Sequence, residues 1–262
     1  MTELRPPSFE SAARSRIRLD WRGLALVAGS LLAAAGFAWP FFAPALPADA
    51  QKAVPYLAFA LVPALVAALA MVLDAQVASA KAVALLGVLG AIGAVTRVAG
   101  DTVGGIEPVF IVLTLAGRAF GARFGFLLGA VVMTVSAVIS GGIGPWLPFQ
   151  VFACAWVAAG AGLLPGIRSR LGELILLAGY GAIVSWLVGA ALNLWFWPFA
   201  IGSGTSISYA ADASLAHNLK AFALYSLATS TLTWDTVRAI TTVVGIALVG
   251  RPVLAALRRA KL

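Results

Sequence analysis

Eight apolar runs, separated by proline, glycine or charged residues, constrain this chain more than any motif does. They cover residues 22–43, 54–73, 81–98, 108–121, 123–141, 147–165, 172–197 and 219–249. A helix that spans a bilayer needs about 20 mainly apolar residues. Hydrophobic residues make up 61% of the 262 positions and charged residues 11%, whereas soluble domains have roughly 45–50% and about 25%. The sequence therefore predicts an all-α, polytopic membrane helical bundle with almost no room for a folded soluble domain.

The basic residues predict how these helices lie in the membrane, because loops rich in Lys and Arg stay on the cytoplasmic side. Arginines cluster at 5–22, 118–123, 168–170 and 251–259. With eight crossings all four clusters lie on one side, so we predict that both termini are cytoplasmic. The predicted organisation is a cytoplasmic basic tail at 1–21, two additional N-terminal transmembrane helices at 22–80, a six-helix membrane unit at 81–250 and a second basic tail at 251–262. The least distinct boundary lies between Arg118 and Arg123, where a single apolar run of about 30 residues is the alternative.

Several functions are disfavoured by what the sequence lacks. The net charge of +8 comes from tails and loops, so we expect no nucleic-acid partner. Cys154 is the only cysteine and lies in an apolar run, which excludes an internal disulfide and a multi-cysteine metal site. There is no Walker, HExxH or GxSxG motif. We therefore expect no metal, no cofactor and no enzymatic activity in this chain.

The segment GGIGPWLPFQ, residues 141–150, breaks the apolar pattern between two spans. Its glycines and prolines predict a shaped, non-helical turn at the membrane boundary. Trp146 and Phe149 offer flat apolar surfaces and Gln150 can both donate and accept hydrogen bonds, which suits a ligand with a ring and an amide or carbonyl edge. The alternative is an interfacial turn with Trp146 in the aromatic belt.

Polar residues in three further segments are candidates for the same outer site. Glu107 follows a glycine-rich stretch that could form a mobile loop or a plain connector in which Arg97 pairs with an acid. Asn193, Trp195 and Trp197 lie near the end of the seventh run, where the tryptophans could equally be belt residues. Asp235 and Arg238 are three residues apart in the last run and share a helix face. They predict an intramembrane ion pair that serves either structure or ligand binding.

Small residues in the third run predict a surface where another helix can approach closely. They are Ala84, Gly87, Gly90, Ala91 and Ala94. Packing inside the same bundle is the alternative. Arg118 and Arg123 are expected near this surface, at the cytoplasmic end.

From Lys81 onward the chain resembles the substrate-binding S component of an energy-coupling factor (ECF) type ABC vitamin importer. The resemblance rests on the six-span unit, the small residues of its first helix, GGIEP through Pro108, AGRAFGARFGFLLG from Ala116 to Gly129, and GGIGPWLPFQ. It implies a multi-pass protein of the bacterial cytoplasmic membrane that captures a vitamin on the outer face. It also implies a membrane-embedded T component and two cytoplasmic ATPase subunits as partners.

The resemblance suggests cobalamin or another corrinoid as the vitamin, because the outer segments are rich in aromatic residues and glycine turns. Riboflavin or another small vitamin is the first alternative. The others are an intramembrane enzyme that acts on a lipid through Asp235 and Arg238, and a secondary transporter driven by an ion gradient. An internal repeat, which many secondary transporters have, is not evident.

Overall fold

The computed structural model describes residues 21–43, 79–100 and 104–260, together with Tyr56 and Ala60. All regular secondary structure within these ranges is helical, which confirms the all-α prediction. The helices are α1 (Trp21–Phe37), α2 (Trp39–Phe42), α3 (Ala80–Gly100), α4 (Val109–Phe120), α5 (Ala122–Ser140), α6 (Leu147–Leu163), α7 (Arg170–Ala200), α8 (Leu215–Ser226) and α9 (Thr236–Arg259), with a π-helical segment (Leu227–Asp235) between α8 and α9.

Four of these helices are long and apolar enough to cross a membrane, which supports the prediction of a membrane protein. They are α3, α5, α7 and the continuous helix Leu215–Arg259, which is 45 residues long and comprises α8, the π-helical segment and α9. Shorter apolar helices are present at Gly23–Phe37, Val109–Phe120 and Leu147–Leu163. The predicted span at 54–73 and the tail at 1–20 lie outside the described residues, apart from Tyr56 and Ala60.

The predicted boundary between 108–121 and 123–141 is present, since Gly121 has φ 90° and separates α4 from α5. Helix boundaries differ from the sequence prediction in two other places. The turn in GGIGPWLPFQ is shorter than predicted: Gly141, in the left-handed conformation, ends α5, and α6 already begins at Leu147. The last helix continues through Pro252 to Arg259, so much of the predicted basic tail is helical.

The centre of the bundle is a close contact between helices that carry small residues. α5 packs extensively against α6, and α6 also packs against α4. A Cβ added at Gly117 or Gly125 would overlap the backbone of Ala158, and one added at Gly129 would overlap the backbone around Cys154. In lipid, where burial from water gives no driving force between helices, such close van der Waals packing is a main source of association. Leu113, Leu128 and other buried apolar side chains surround this contact.

The remaining long helices complete the bundle around this centre. α3 packs on α5, α9 packs on α4 and α7, and α7 also touches α6. Helix α1 docks on α6 and α7, and the indole of Trp156 on α6 donates to Ser30 of α1 at 3.0 Å. Helix α2 docks on α7, where the indole of Trp39 donates to the carbonyl of Trp195 at 3.1 Å. The first predicted span is thus anchored to α6 and α7 by aromatic side chains.

Two polar clusters lie at opposite ends of the bundle. Arg238 and Arg258 stand 20 residues apart on α9, which corresponds to about 30 Å of helix, the thickness of a hydrocarbon core. At the Arg258 end, Glu173 accepts from Arg258 at 2.5 Å and from Arg118 at 2.7 Å. The basic residues of the α4–α5 and α6–α7 connections lie at this same end.

Candidate functional site

Arg238, near the start of α9, is the centre of the polar cluster at the other end of the bundle. Its side chain is 9% exposed. One terminal nitrogen, Nη1, donates to Asp235 Oδ1 at 2.8 Å and to the backbone carbonyl of Ser185 at 3.0 Å. The other, Nη2, donates to Glu107 Oε1 at 2.6 Å. Arg238 therefore joins α9, α7 and the segment before α4, and the predicted Asp235–Arg238 ion pair is present.

The guanidinium of Arg238 also lies over the ring of Phe110, with its central carbon 5.2 Å from the ring centroid. A cation over an aromatic face is stabilised by the ring quadrupole, more so when both groups are shielded from water. Phe110 lies in the first turn of α4 and is 1% exposed. The ring fixes the guanidinium on one side while the carboxylates hold it at its edge.

Asp235 is deeply buried and fully engaged within the chain. Its side chain is 1% exposed and its second oxygen, Oδ2, accepts from the Ser230 hydroxyl at 2.8 Å. The carboxylate packs on Gly189 of α7 so closely that an added Cβ there would overlap it. An ionised buried group costs free energy unless it is paired and hydrogen-bonded, and here both conditions are met.

The π-helical segment brings further polar side chains to this cluster. The amide of Asn193 donates to Ser230 Oγ at 2.7 Å and to Ser226 Oγ at 3.1 Å. A hydrogen-bonded chain therefore runs from Asn193 through Ser230, Asp235 and Arg238 to Glu107. Segments of π-helix occur frequently at functional sites, and Ser and Thr that bond to the preceding turn, as Thr229 does to the carbonyl of Tyr225 at 2.8 Å, distort helices.

A cavity of about 150 Å³ lies beside Arg238. Its polar lining comes from Arg97, Glu107, Gln150 and Arg238, with the Cys154 thiol beside them. Its apolar lining consists of Val109, Phe110, Met133, Val188 and Leu192. A concave space in which several polar groups converge beside apolar side chains is a common form of small-molecule site, although most such sites are more apolar than this one. Among the described residues there is no group of His, Cys, Asp or Glu that could hold a metal ion.

The structure brings five of the nine predicted substrate-binding residues to this region. Glu107, Gln150 and Arg238 line the cavity. Asp235 accepts a hydrogen bond from Arg238, and Asn193 is connected to Asp235 through the hydroxyl of Ser230.

The four predicted aromatic residues lie elsewhere. Trp146 is 44% exposed, and its indole donates to the carbonyl of Gly142 within its own turn at 3.2 Å. Phe149 and Trp195 stack on each other with ring centroids 4.5 Å apart and pack against α1. Trp197 is completely buried and donates to the carbonyl of Ile207 at 2.7 Å. These residues hold helices and connections together beside the cavity rather than lining it.

The connection after α7 is folded onto Trp197. Tyr209 packs edge-on against this indole with centroids 5.4 Å apart. Burial raises the pKa of the Tyr209 phenol above its usual value. The segment 201–214 is therefore held to the bundle by aromatic contacts.

The predicted partner-interface residues fall into two groups. Gly90 and Ala94 are buried, and a Cβ on Gly90 would come within 2.9 Å of Val131 on α5. Ala84, Gly87 and Ala91 are exposed on the opposite face of α3. Part of the predicted small-residue surface therefore packs inside the bundle, and the rest of it is exposed on the outside of α3.

Arg118 is engaged inside the chain. Besides Glu173, it donates to the carbonyls of Leu164 at 2.7 Å and Pro165 at 3.2 Å, just beyond the end of α6. Its side chain is 10% exposed. Arg123, in the first turn of α5, is partly buried. Arg118 therefore satisfies carbonyls that the helix end leaves without partners.

Comparison with models of protein families, with curated proteins and with solved structures finds no match to this chain. The class that the fold and the site define is a helical membrane protein with a polar cavity inside one half of its bundle.

Proposed function

We propose that this chain is the substrate-binding subunit, or S component, of an ECF-type ABC vitamin importer. The observation that carries the proposal is the cavity between α3, α4, α5, α6, α7 and α9, in which Arg97, Glu107, Gln150 and Arg238 converge beside apolar side chains. Ionisable residues inside a membrane protein are costly and commonly mark a pathway or binding site. The sequence resemblance described above supplies the family.

The arrangement of charges supports the proposed direction of capture. The cavity lies at the end of the bundle opposite to Arg118 and Arg258. If the basic end faces the cytoplasm, as the positive-inside rule predicts, the cavity lies toward the outer face. The ligand then enters past the 104–108 connection, whose Glu107 lines the cavity.

The size of the cavity favours a small vitamin over a corrinoid. Its volume of about 150 Å³ is below the roughly 300–1,000 Å³ of sites for drug-sized ligands. Cobalamin, the expectation from the sequence, is larger than this space and would require the helices around the cavity to move apart. We therefore propose a small vitamin as the ligand and keep cobalamin in the test panel.

The pairing of Asp235 with Arg238 and Ser230 supports a structural role for this carboxylate. Asp235 is not among the residues that line the cavity. In the proposed function the chain binds and releases its ligand unchanged, and ATP hydrolysis takes place in partner subunits.

The exposed face of α3 is the proposed contact with the T component. Ala84, Gly87 and Ala91 leave a shallow surface there, and an added Cβ on Gly87 would meet nothing within 4 Å. Small residues of this kind let two helices approach closely in lipid.

The ligand is tested by purifying the chain alone and identifying any co-purified vitamin by absorbance and mass spectrometry, followed by titration with a vitamin panel. We expect one small vitamin to bind in the absence of any ATPase. Lack of binding across the whole panel would contradict the proposal. Uptake into vesicles that contain the T component and ATPases, but not into vesicles with the chain alone and an ion gradient, separates the importer subunit from a secondary transporter.

The proposed interface is tested with Gly87→Leu. We expect this variant to bind the vitamin normally but to lose association with the T component, because the larger side chain separates the helices. Gly179→Leu is the matched control, since Gly179 is also exposed on a long helix with nothing within 4 Å of an added Cβ. Equal association by both variants would exclude the α3 face as the contact.

A further inference from the structure

Arg238 has hydrogen-bonding capacity that no described residue uses. A guanidinium carries five N–H donors, and the terminal nitrogens of Arg238 make three hydrogen bonds, to Asp235, Ser185 and Glu107. Its Nε atom is buried and has no partner in the part of the chain that the structure describes. The residue is 8% exposed and lines the cavity. Because a buried donor without an acceptor has lost its hydration and gained no bond in return, Arg238 can bind an acceptor that a ligand brings into the cavity.

The two carboxylates bonded to Arg238 differ in how firmly they are held. Asp235 is 1% exposed, and its two oxygens accept from Arg238 and from Ser230. Glu107 is 25% exposed, and its side chain makes one hydrogen bond to a described residue, the bond from Nη2 of Arg238 at 2.6 Å. Glu107 also lies in the connection before α4 rather than within a helix. Glu107 can therefore leave Arg238 and be hydrated, whereas Asp235 stays in place.

A carboxylate on a ligand can bond to Arg238 more strongly than Glu107 does. A planar carboxylate can accept from two neighbouring N–H groups of a guanidinium, and such bidentate pairs are stronger than single hydrogen bonds. Nε is free already, and Nη2 becomes free when Glu107 leaves. The exchange replaces one carboxylate by another, so no additional charge is buried beside Arg238. A neutral carbonyl can accept from Nε as well, but it offers a weaker bond than a carboxylate.

The apolar lining describes the body of such a ligand. Phe110, Met133, Val188 and Leu192 face a space of about 150 Å³. Apolar surface that moves from water into contact with these side chains contributes to binding. The cavity therefore suits a compact, mainly apolar body that carries the acid group at one end.

From these observations we infer that the cavity takes a small carboxylic acid with an apolar body, and that the ligand carboxylate replaces Glu107 on Arg238. The inference rests on the proposed function, because it assumes that this cavity is the site of capture. It adds the chemical class of the ligand and a role for Glu107. In the free chain Glu107 closes the cavity through its bond to Arg238, and in the bound chain it faces water.

Two pairs of probes test the ligand class by isothermal titration of the full chain in detergent. They are nicotinate with nicotinamide, and 3-phenylpropanoate with 3-phenylpropanamide. Each pair has one body and differs in the acid group. We expect the acid of at least one pair to bind about tenfold more tightly than its amide, because the amide cannot form the bidentate ionic pair. An amide that binds as tightly as its acid contradicts the inference, and so does the absence of binding by all four probes.

Glu107→Gln tests the exchange, because it weakens the group that competes with the ligand. We expect the acid that binds the wild type to bind this variant about tenfold more tightly, and its amide to bind as before. Asp212→Asn is the matched control, since it removes a negative charge from an exposed position in the connection before α8. A role of Glu107 in folding alone would lower the unfolding temperature without this gain. Unchanged or weaker binding of the acid contradicts the displacement of Glu107.

Arg238→Lys keeps the inference falsifiable if Glu107→Gln is unstable. Lysine retains the positive charge but cannot hold a carboxylate through two N–H groups in a fixed plane. We expect the preference for the acid over its amide to fall about tenfold. Arg258→Lys is the matched control, because Arg258 also bonds to a buried carboxylate but lies at the other end of the bundle. The same preference in the wild type and in Arg238→Lys contradicts the inference.

The outcomes also separate this inference from the proposed function. A vitamin without an acid group that co-purifies and is taken up contradicts the inference and leaves the importer subunit intact. A preference for acids that depends on Glu107 and Arg238, without uptake of any vitamin into vesicles that contain the T component and ATPases, contradicts the importer proposal and supports the ligand class.

Discussion

At the scale of single residues, the ion cluster around Arg238 depends on all of its partners. Asp235→Asn removes the charge of one of the two carboxylates that bond to the guanidinium, while Glu107 remains paired with it, so we expect a loss of about 1–3 kcal/mol from the weakened buried hydrogen bonds. The double variant Asp235→Leu/Arg238→Met removes both charges and leaves Glu107, which is 25% exposed, to be hydrated. We expect the double variant to lose less stability than the sum of Asp235→Leu and Arg238→Met.

Unfolding in detergent, followed by tryptophan fluorescence, measures these differences. Asp212→Asn, in the exposed connection before α8, is the control and should change the free energy of unfolding by less than about 0.5 kcal/mol. Additive losses in Asp235→Leu and Arg238→Met would show that the two side chains are not coupled.

The cavity could be predicted only in part at this scale. Glu107, Gln150 and Arg238 stand out because charged and amide side chains are rare near apolar runs. Met133, Cys154 and Val188 have no such signal, since an apolar side chain on a membrane helix faces lipid, a neighbour or a cavity with the same composition. Phe149 and Trp195 were predicted to bind the ligand, but they stack on each other instead. The two residues are 46 positions apart, and no local sequence pattern reveals such a pairing.

At the scale of elements, the contact of α4 with α6 depends on Gly117. We expect Gly117→Ala to destabilise the protein by about 1–3 kcal/mol, because a Cβ there would overlap the carbonyl oxygen of Ala158 and force the helices apart. Gly179→Ala is the control: it has open space around it, and alanine favours a helix over glycine by up to about 1 kcal/mol. Equal stability of the two variants would show that α4 and α6 do not pack as described.

Helix ends were predictable where a glycine or proline marks them, and less so elsewhere. Gly121 and Gly141 end α4 and α5 with positive φ angles, as their position between apolar runs suggests. The π-helical segment Leu227–Asp235 could not be predicted, because the Ser and Thr residues that distort it also occur in regular membrane helices. The continuation of the last helix to Arg259 was not predicted, because its arginines give residues 251–262 the composition of a basic tail.

At the scale of the whole molecule, we expect the two polar ends to face opposite sides of the membrane. Cys154→Ala removes the only cysteine, and a new cysteine can then be placed at exposed Asp212 or exposed Gly166. We expect a membrane-impermeant maleimide to label Asp212→Cys in intact cells and Gly166→Cys only after the membrane is opened. The reverse pattern would place the cavity on the cytoplasmic side.

Native mass spectrometry of the purified chain shows whether the cavity beside Arg238 holds a small molecule. Val188→Phe fills the cavity from α7, whereas Ile183→Phe makes a similar change on the same helix at a side chain that is 57% exposed. We predict one bound vitamin on the wild type and on Ile183→Phe, and none on Val188→Phe. Ligand retained by Val188→Phe, or no ligand on the wild type after incubation with the vitamin panel, would contradict it.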